Sequence, residues 1–301
     1  MTAVAAPDLV VLGNLLVDDV VFPDGRTRMG QAGGATLYAS LGAALWGLRT
    51  GLVSFRGHDY PASALEALQA RGVDLAGVHV IEGPGLRTWL LYEGRRRRVV
   101  HHLDGPTHEQ VSPLLEHIPT PWRAARAFHL APMPFETQAS LVAALRAATR
   151  GLISLDPHLA VNAATLPRWR AVLPSVNVLF ISEDELDSQD DGRAIAAQIA
   201  GGHLSLVLLK RGSRGGLACD LAQARVHEWP AMAVRVVDPT GAGDAFASGV
   251  LAGLLRGDAL PHALLRGVVS ASFAVEEWGC AGLLNATPAQ AESRLREWFG
   301  R

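Results

Sequence analysis

Residues 238–246 read Asp-Pro-Thr-Gly-Ala-Gly-Asp-Ala-Phe, between an apolar run and a long helical pattern. The apolar residues Val234–Val237 predict a strand, and the residues from Ala245 onward predict a helix, so the stretch is a strand–loop–helix junction. Its two glycines permit a tight turn with exposed N–H groups, and the helix start adds the positive end of its dipole. The stretch therefore predicts an anion hole.

Asp244 lies inside this predicted anion hole, where a fixed carboxylate would repel a bound phosphate. The carboxylate fits if it accepts a proton from an attacking hydroxyl, while the amides of Gly241, Ala242 and Gly243 stabilise a transferred phosphoryl group. The simpler interpretation is a helix cap, which stabilises a helix by about 0.5–2 kcal/mol. A cap requires neither two glycines nor a second aspartate, so the whole string favours catalysis.

The lysine content excludes other ways of handling phosphate. Lys210 is the one lysine among 27 lysines and arginines in the 301 residues. A Walker A loop needs a glycine before its lysine and Ser or Thr after it, whereas Arg211 follows Lys210. Pyridoxal-phosphate chemistry or a protein-kinase ion pair would also depend on this single residue.

Short apolar runs alternate with helical patterns along the chain. The runs that predict strands are Leu9–Gly13, Gly51–Ser54, Ala127–Leu130, Leu152–Asp156, Val178–Ile181, Leu206–Lys210 and Val234–Val237. Strands that alternate with helices of about 10–15 residues predict an α/β fold with a mostly parallel sheet covered on both faces. Extended segments at about 15–30 and 86–104 have no helix partner and predict a small β-flap. We expect a single domain over residues 1–301.

The overall composition is typical of a cytoplasmic protein. The formal net charge of −2 gives no reason to expect nucleic acid or an anionic membrane as a partner. Cys219 and Cys280 lack metal-type spacing, so we expect two buried thiols in a reducing compartment. Met1–Pro7 lacks the basic segment of a signal peptide. The longest uncharged run, Met29–Leu48, contains five glycines, so no membrane span is expected.

At residues 238–246 the chain resembles the ribokinase (PfkB) family of carbohydrate kinases, whose signature there reads D-[TP]-T-G-A-G-D-x-F. The resemblance extends from about Leu9 to Leu284. It implies a ribokinase-like fold, ATP and Mg²⁺ as cofactors, Asp244 as catalytic base, and Gly241, Ala242 and Gly243 as the anion hole. It also implies a monovalent-cation site near Asp238 and the last helices.

The resemblance extends to two N-terminal motifs that hold the acceptor in this family. Gly13-Asn14-Leu15-Leu16-Val17-Asp18 matches G-[DNS]-x-x-x-D, and one carboxylate can accept hydrogen bonds from two vicinal hydroxyls. Residues 33–39 resemble G-G-x-x-x-N-x-A, with Tyr38 at the asparagine position. The substrate-binding candidates are Asn14, Asp18, Gly33, Gly34 and Tyr38. The simpler alternatives are a solvated loop carboxylate at position 18 and a core tyrosine at position 38.

Two further motifs resemble the nucleotide and metal sites of the family. Residues 181–185 resemble N-x-x-E, with Ser182 at the asparagine position, Glu185 as the metal candidate and Glu183 as a weaker one. Residues 208–216 resemble a strand followed by [TK]-x-G-x-x-G. The nucleotide-binding candidates are Lys210, Gly212, Gly215, Thr240, Gly243 and Gly279. The alternatives are an acidic first helical turn and a solvated basic turn.

Several other residues have weaker signals. Arg95–Arg98 resemble the flap hairpin, where an arginine reaches the acceptor, although a charge run is usually a solvated face. His101, His102 and His129 lack metal spacing and are expected in the flap or the core. Asp156-Pro157-His158 resembles a D-P-N stretch of the family. The exposed edge of the flap is a candidate for pairing two subunits into a homodimer.

The predicted function is an ATP-dependent kinase acting on a small polyhydroxylated molecule. A sugar or cyclic polyol of the ribose, fructose or inositol type is favoured. One alternative is a nucleoside, on whose base Tyr38 or Trp89 would stack. Another alternative is a catalytically silent ATP- or sugar-binding sensor, which Ser182 and Tyr38 favour and the intact string at 238–246 opposes.

Overall fold

The computed structural model describes residues 6–93, 96–183, 186 and 192–300. The strands are β1 (Leu9–Leu12), β2 (Leu16–Val21), β3 (Thr27–Gly33), β4 (Thr50–Arg56), β5 (Val73–Val80), β6 (Arg87–Glu93), β7 (Arg96–His101), β8 (Ala127–Leu130), β9 (Leu152–Leu155), β10 (Val178–Ser182), β11 (Leu206–Lys210), β12 (Gly216–Asp220) and β13 (Arg225–Trp229). The α-helices are α1 (Ala35–Ala44), α2 (Ala62–Ala70), α3 (Phe135–Ala148), α4 (Leu166–Val172), α5 (Gly192–Ile199), α6 (Ala242–Arg256), α7 (Leu260–Val275), α8 (Ala281–Asn285) and α9 (Pro288–Phe299). In the described part of the chain, no helix combines the length and apolar character needed to cross a membrane.

Nine strands form the main sheet, in the order β13-β12-β11-β10-β9-β8-β1-β4-β5. The seven strands from β11 to β5 pair in parallel, and the hairpin of β12 and β13 adds two antiparallel pairings at one edge. Parallel strands need crossover connections, which here are mainly helices on the two faces. The prediction of a mostly parallel sheet with helices on both faces is confirmed.

Side chains on each central strand alternate between two separate hydrophobic cores. In β1, Leu9 and Val11 belong to the core that packs on α1, α6 and α7, whereas Val10 and Leu12 belong to the core that packs on α3 and α4. All four side chains are fully buried. Burial on both faces explains why β1 is a continuous apolar run instead of an alternating one.

The second sheet has four strands in the order β3-β2-β6-β7, and we call it the flap. Its small apolar core contains Val20, Phe22 and Leu90, packed against Tyr92 and against Trp278 of the C-terminal region. The Phe22 ring stacks on Tyr92 at 4.8 Å and meets Trp278 edge-on at 5.2 Å between ring centroids. The flap is therefore joined to the segment that follows α7.

The prediction of a strand at Val234–Val237 is wrong. These residues lie in an irregular segment, and the N–H of Val237 donates to the carbonyl of Val275 at the end of α7, 2.8 Å away. A helix end leaves carbonyls without intrahelical partners, and this segment supplies a donor there instead of pairing with a strand. The junction before α6 is therefore a loop and a helix.

Three strands of the main sheet were not predicted, namely β5 and the hairpin of β12 and β13. The edge strands β5 and β13 contain exposed polar positions, and β5 includes Asp74 and Gly77, which disfavour strands. Edge strands are buried less than central ones, so these two lack the continuous apolar runs that identified β8 and β11. Strand β12 is buried between β11 and β13, but its apolar run is only Leu217-Ala218-Cys219.

The chain order places one edge of the main sheet where ligands commonly bind. From β1 the chain proceeds to β4 and β5 on one side and then returns to β8 and β9 on the other. Crevices at the carboxyl ends of strands beside such a reversal are the usual binding positions in open α/β sheets. Asn14, Pro132, Asp156 and Lys210 all lie at this edge, at or just after the ends of β1, β8, β9 and β11.

We expect the buried His129 in β8 to make the folded protein less stable in acid. The imidazole is fully buried, with Nδ1 2.9 Å from the Ser154 hydroxyl, and burial followed by the charge of Lys210 lowers its pKa from 6.5 to about 3. As the pH falls below 6.5, the unfolded chain binds a proton that the folded chain does not, so stability declines down to about pH 3. At pH 5 this residue is expected to account for about 2 kcal/mol of the loss.

Urea unfolding at pH 7.5 and pH 5 checks this expectation. His129→Asn preserves an acceptor near Ser154 and removes the titrating group, so it should lose less stability between the two pH values than the wild type. His262→Asn, at an exposed position on α7, is the matched control. An equal acid-induced loss in wild type and His129→Asn would contradict the prediction.

Candidate active site

The start of α6 separates two cavities at the carboxyl edge of the main sheet. The flap cavity, of about 150 Å³, lies beneath the flap and is lined on this side by Thr240, Gly241 and Asp244. The apolar cavity, of about 340 Å³, is lined on this side by Ala242 and Gly243. Neighbouring residues of a single loop therefore contact both cavities, so a group can be transferred between two ligands across the helix start.

The backbone before α6 requires glycine at position 241. Gly241 has φ = +75°, a left-handed conformation that favours glycine, and a Cβ there would lie 2.1 Å from ring atoms of Tyr38. The buried carboxylate of Asp238 accepts the N–H of Thr240 at 2.9 Å and the N–H of Gly279 at 3.0 Å. These contacts hold the loop against the segment after α7, next to the first turn of α6, whose N–H groups lack carbonyl partners within the helix. The N–H of Ala242 makes one long contact of 3.4 Å with the Pro239 carbonyl.

Two carboxylates contribute to the flap cavity. Asp244 is the third residue of α6, and the helix dipole favours a negative charge there. Asp18 comes from β2, is 4% exposed, and accepts a hydrogen bond of 2.6 Å from the Thr88 hydroxyl. A Cβ at Gly33 would lie 1.9 Å from an Asp18 oxygen, so the glycine provides the space that this carboxylate occupies.

Asn14 connects the flap cavity to the surrounding protein. Its Nδ2 donates to the carbonyl of Val111 at 2.7 Å, and its Oδ1 lies 2.9 Å from Nε2 of His108. Gly34 has φ = +102°, and a Cβ there would lie 2.2 Å from the Asn14 carbonyl oxygen. Gly34 therefore allows the start of α1 to approach the end of β1 closely.

The apolar cavity has the character expected of a nucleobase site with a cation at its mouth. Its walls include Trp229, Met232, Phe246, Val268 and Val275. Among the described residues that line this cavity, Lys210 is the one with a positive charge. Its Nζ lies 2.5 Å from Asp156 Oδ2 and 3.3 Å from the position of a Cβ on Gly243. The ammonium thus lies beside the first turn of α6, where phosphate oxygens would be stabilised.

The loop after β11 forms the rim of the apolar cavity. Gly212 and Gly215 have φ = +55° and +76°, and both residues line the cavity. A Cβ at Gly215 would lie 1.9 Å from the carbonyl oxygen of Trp229, so this glycine allows the loop to pack on the end of β13.

The metal candidate Glu185 lies outside the described residues. Its neighbour Glu183 forms an ion pair with Arg214 of the loop after β11. Within residues 6–93, 96–183, 186 and 192–300, no three His, Cys, Asp or Glu side chains are grouped so as to hold a metal ion.

Comparison with known proteins identifies the family. Residues 8–287 match the pfkB family carbohydrate kinase domain. The chain belongs to the PfkB family. It is therefore a sugar or nucleoside kinase, a phosphotransferase that acts on a hydroxyl group.

Relatives of this PfkB kinase include proteins with different acceptors. It is 31% identical over 283 residues to a cytidine kinase from Thermococcus kodakarensis, covering 90% of this chain and 97% of that protein. It is 30% identical over 263 residues to a fructokinase from Escherichia coli, covering 81% of this chain and 83% of that protein. The structure of ribokinase from Arabidopsis thaliana, solved with ribose and ATP, superposes on this one with a TM-score of 0.72 at 21% identity. The match covers 97% of this chain and 99% of that chain. The ribokinase-like fold is confirmed.

The fold brings most of the predicted site residues of this PfkB kinase together, with some differences in placement. Thr240 lines the flap cavity and not the apolar one, and its hydroxyl lies 2.7 Å from that of Tyr92. Gly279 contacts Asp238 instead of lining the apolar cavity. Tyr38 lines the flap cavity but is 2% exposed, because its ring packs on Gly241.

The expectation that Trp89 stacks on an acceptor base is not met. Thr88 and Leu90 of β6 line the flap cavity, so the intervening Trp89 faces the other way, stacked on His102 at 5.3 Å. Of the run Arg95–Arg98, Arg95 and the side chains of Arg96 and Arg97 lie outside what the structure describes, and Arg98 pairs with Glu93 at 3.3 Å on the exposed surface.

Sequence reasoning missed several residues that line the flap cavity. Thr88, His108 and Val99 carried no motif, and His101 was assigned only to the flap or the core. His158 had one signal, its place in Asp156-Pro157-His158 directly after a predicted strand. The carboxyl end of a parallel strand is a common position for site residues, and that rule would have selected it.

Proposed function

We propose that this kinase transfers the γ-phosphate of ATP to a ribose hydroxyl of a nucleoside. The observation that carries the proposal is the position of the α6 start, which lines the flap cavity through Gly241 and Asp244 and the apolar cavity through Ala242 and Gly243. The acceptor occupies the flap cavity and ATP the apolar cavity. The transferred group then lies over the first amides of the helix.

In the proposed reaction, Asp244 is the general base. The acceptor hydroxyl loses its proton to the Asp244 carboxylate as its oxygen bonds to the γ-phosphorus, and the bond from that phosphorus to the β,γ-bridging oxygen breaks, releasing ADP. The amides of Ala242 and Gly243 and the Lys210 ammonium stabilise the developing negative charge. Mg²⁺, with Glu185 as its proposed ligand, would neutralise phosphate charge when bound.

The flap excludes water from the proposed reaction. The Tyr92 and Thr240 hydroxyls, 2.7 Å apart, join β6 directly to the loop before α6, and the ring contacts of Phe22 with Trp278 support this closed arrangement. A closed flap favours transfer to the acceptor over hydrolysis of ATP. The flap therefore links acceptor binding to the anion hole.

The lining of the flap cavity favours a nucleoside over a free sugar. Asp18 and Asp244 contribute carboxylates, which suit vicinal hydroxyls and the attacking hydroxyl. The rest of the lining combines a few polar side chains, such as those of Asn14 and Thr88, with three imidazoles and with apolar residues such as Leu16, Leu90 and Val99. A monosaccharide carries hydroxyls on every side and would leave some of them without partners there. The likeness to a cytidine kinase over 90% of the chain supports the same choice.

A sugar is the second candidate. The polar groups of the flap cavity provide the contacts that a polyol needs, and the fructokinase from Escherichia coli is nearly as similar in sequence as the cytidine kinase. A monovalent-cation site near Asp238, pairing of subunits through the flap edge, and a cytoplasmic location remain predictions. The exposed Val100 on edge strand β7 is the residue that favours flap pairing.

Acceptor-stimulated release of ADP tests the proposal. Cytidine, uridine, adenosine and inosine would be compared with ribose, fructose and myo-inositol at saturating ATP and Mg²⁺. We expect the highest kcat/KM with a nucleoside. A higher value with a free sugar would select the second candidate, and ligand-induced thermal stabilisation without any turnover would select the silent sensor.

Replacement of Lys210 is expected to act on the nucleotide. Lys210→Met removes the ammonium beside Gly243, so the KM for ATP should rise by roughly 10-fold while the KM for the acceptor stays within about 2-fold. Because the replacement leaves the buried Asp156 carboxylate without this cation, Lys210→Met/Asp156→Asn serves as a second variant that restores charge balance. A larger change in acceptor KM than in ATP KM in both variants would contradict this assignment.

A further inference from the structure

Three histidines that were not among the substrate-binding candidates line the flap cavity together. His101 ends β7 in the flap, His108 lies in the loop that follows, and His158 follows β9 of the main sheet. The ring centroids of His101 and His108 are 5.4 Å apart, and those of His108 and His158 are 5.0 Å apart. We call these three residues the histidine patch.

The histidine patch lies where the flap cavity continues into further space. The same three side chains line a second cavity of about 380 Å³, whose other walls include Leu86, Pro106 and Pro134. An acceptor held by Asp18 and Asp244 can thus extend past the three rings. The flap cavity and the second cavity together offer more space than a monosaccharide requires.

The three imidazoles are uncharged at neutral pH. Burial, with repulsion from His158 and His101, lowers the pKa of His108 to about 4, and burial also lowers the pKa values of His101 and His158. The one carboxylate that opposes these shifts is the exposed Glu109. A neutral imidazole carries one N–H donor and one nitrogen acceptor, so the patch presents both kinds of group without a net charge.

The hydrogen bonds around Asn14 assign the tautomer of His108. Asn14 Nδ2 donates to the Val111 carbonyl, so its Oδ1 is the atom that faces His108 and must accept from Nε2–H. Nδ1 of neutral His108 is then an acceptor. Nδ1 of His101 is buried and has no hydrogen-bond partner among the described residues. The patch therefore retains hydrogen-bonding capacity that the surrounding protein does not use.

A flat, uncharged heterocycle with its own donors and acceptors matches this surface. Among the described residues, the lining of the second cavity contains no lysine or arginine that would attract an anionic ligand, and its one carboxylate is that of the exposed Glu109. Ring faces and edges favour an aromatic partner, whereas Asp18 and Asp244, the carboxylates that suit hydroxyls, line the flap cavity and not the second cavity. A nucleobase joined to a ribose combines the two chemistries in one molecule.

We propose that His101, His108 and His158 form the subsite that recognises the base of the nucleoside, with His101 and His158 as the residues that contact it. The inference rests on the proposed function and identifies the specificity-determining side chains. His101 and Val99 belong to the flap, whereas His158 and Pro132 belong to the main sheet, so a bound base bridges the two. The base thereby stabilises the closed flap, and a nucleoside is preferred over ribose even though both supply the same hydroxyl.

Steady-state kinetics with matched acceptors test this subsite. For His101→Ala and for His158→Ala, kcat/KM with the best nucleoside of the screen is expected to fall by roughly 5- to 100-fold, the range of losing one aromatic contact to a base. The value for ribose should change less than 2-fold. His101→Phe retains a ring and should recover part of the loss. His262→Ala, on the exposed side of α7, is the matched control.

Parallel losses with nucleoside and ribose would overturn the inference, because they indicate a general effect on the flap. Unchanged values with both acceptors would also overturn it. Calorimetric binding of the same nucleoside is measured independently of turnover, so the subsite is tested even if phosphorylation is not observed. Failure of the proposed function is recognised separately, by the absence of acceptor-stimulated ADP release in the wild type. Thermal unfolding of each variant establishes that it is folded.

Discussion

Asp244→Asn is expected to lower kcat for phosphoryl transfer by roughly 10²- to 10⁴-fold, the range that a positioned general base contributes. Asparagine retains the size of aspartate but cannot accept the proton of the attacking hydroxyl. The affinity for ATP should be retained or increase slightly, since a negative charge beside the phosphates is removed. Single-turnover ADP formation and fluorescence titration with an ATP analogue measure the two quantities.

Asp74→Asn is the matched control for this variant. Asp74 is exposed on edge strand β5, where its carboxylate accepts the N–H of Ala76, and an asparagine oxygen can do the same. This variant should keep wild-type kcat. If Asp244→Asn also kept more than about a tenth of wild-type kcat, Asp244 would only complement the dipole of α6, and the mechanism would need another base.

Gly241→Ala is expected to damage both stability and activity. The residue adopts φ = +75°, and its new Cβ would lie 2.1 Å from the Tyr38 ring, which is enclosed by the core. Overpacking and backbone strain together are expected to cost about 2–4 kcal/mol. Movement of the loop would also displace the first amides of α6, with a loss of roughly 10²- to 10³-fold in kcat. Urea unfolding and steady-state kinetics check the two effects.

Gly257→Ala shows how much of the effect of Gly241→Ala comes from backbone strain and how much from the steric clash with Tyr38. Gly257 ends the same helix with φ = +85°, but no atom lies within 4 Å of a Cβ at this position. We expect a cost of about 1 kcal/mol and unchanged kcat. In a double variant, Gly241→Ala with Tyr38→Leu should cost less than the sum of the two single changes, because the smaller side chain leaves space. Equal effects of the two glycine replacements would show that the Tyr38 contact is unimportant.

Much of the architecture was predictable because its signals are local. The strands β1, β8 and β11 are continuous apolar runs, since both of their faces are buried, and the run itself reports that burial. Helix α9 has a capping box at Thr287 and Gln290 that defines its start. The edge strands β5 and β13 carry no such run, the run in β12 is only three residues long, and the irregular segment Val234–Val237 resembles a strand in composition alone.

The candidate site also contains some residues with local sequence signals and others whose position depends on distant parts of the chain. The anion hole and Asp244 were identified because the residues that form it are contiguous, so backbone conformation and helix dipole follow from their order. Asp18 was identified by a motif, yet its orientation depends on Thr88, seventy positions away, and on the missing side chain of Gly33. Trp89 was assigned to the wrong face because the register of β6 within the flap determines which alternate residues face the cavity.

The sequence by itself determined the phosphate chemistry of this protein, because two glycines, a helix start and a carboxylate within nine consecutive residues permit few other arrangements. The tertiary structure alone decided what the acceptor meets. His101, His108 and His158 come from the flap, a loop and the main sheet, and their rings approach within about 5 Å only after the two sheets close on one another. Recognition of the acceptor depends on that long-range packing, which no local pattern in the chain encodes.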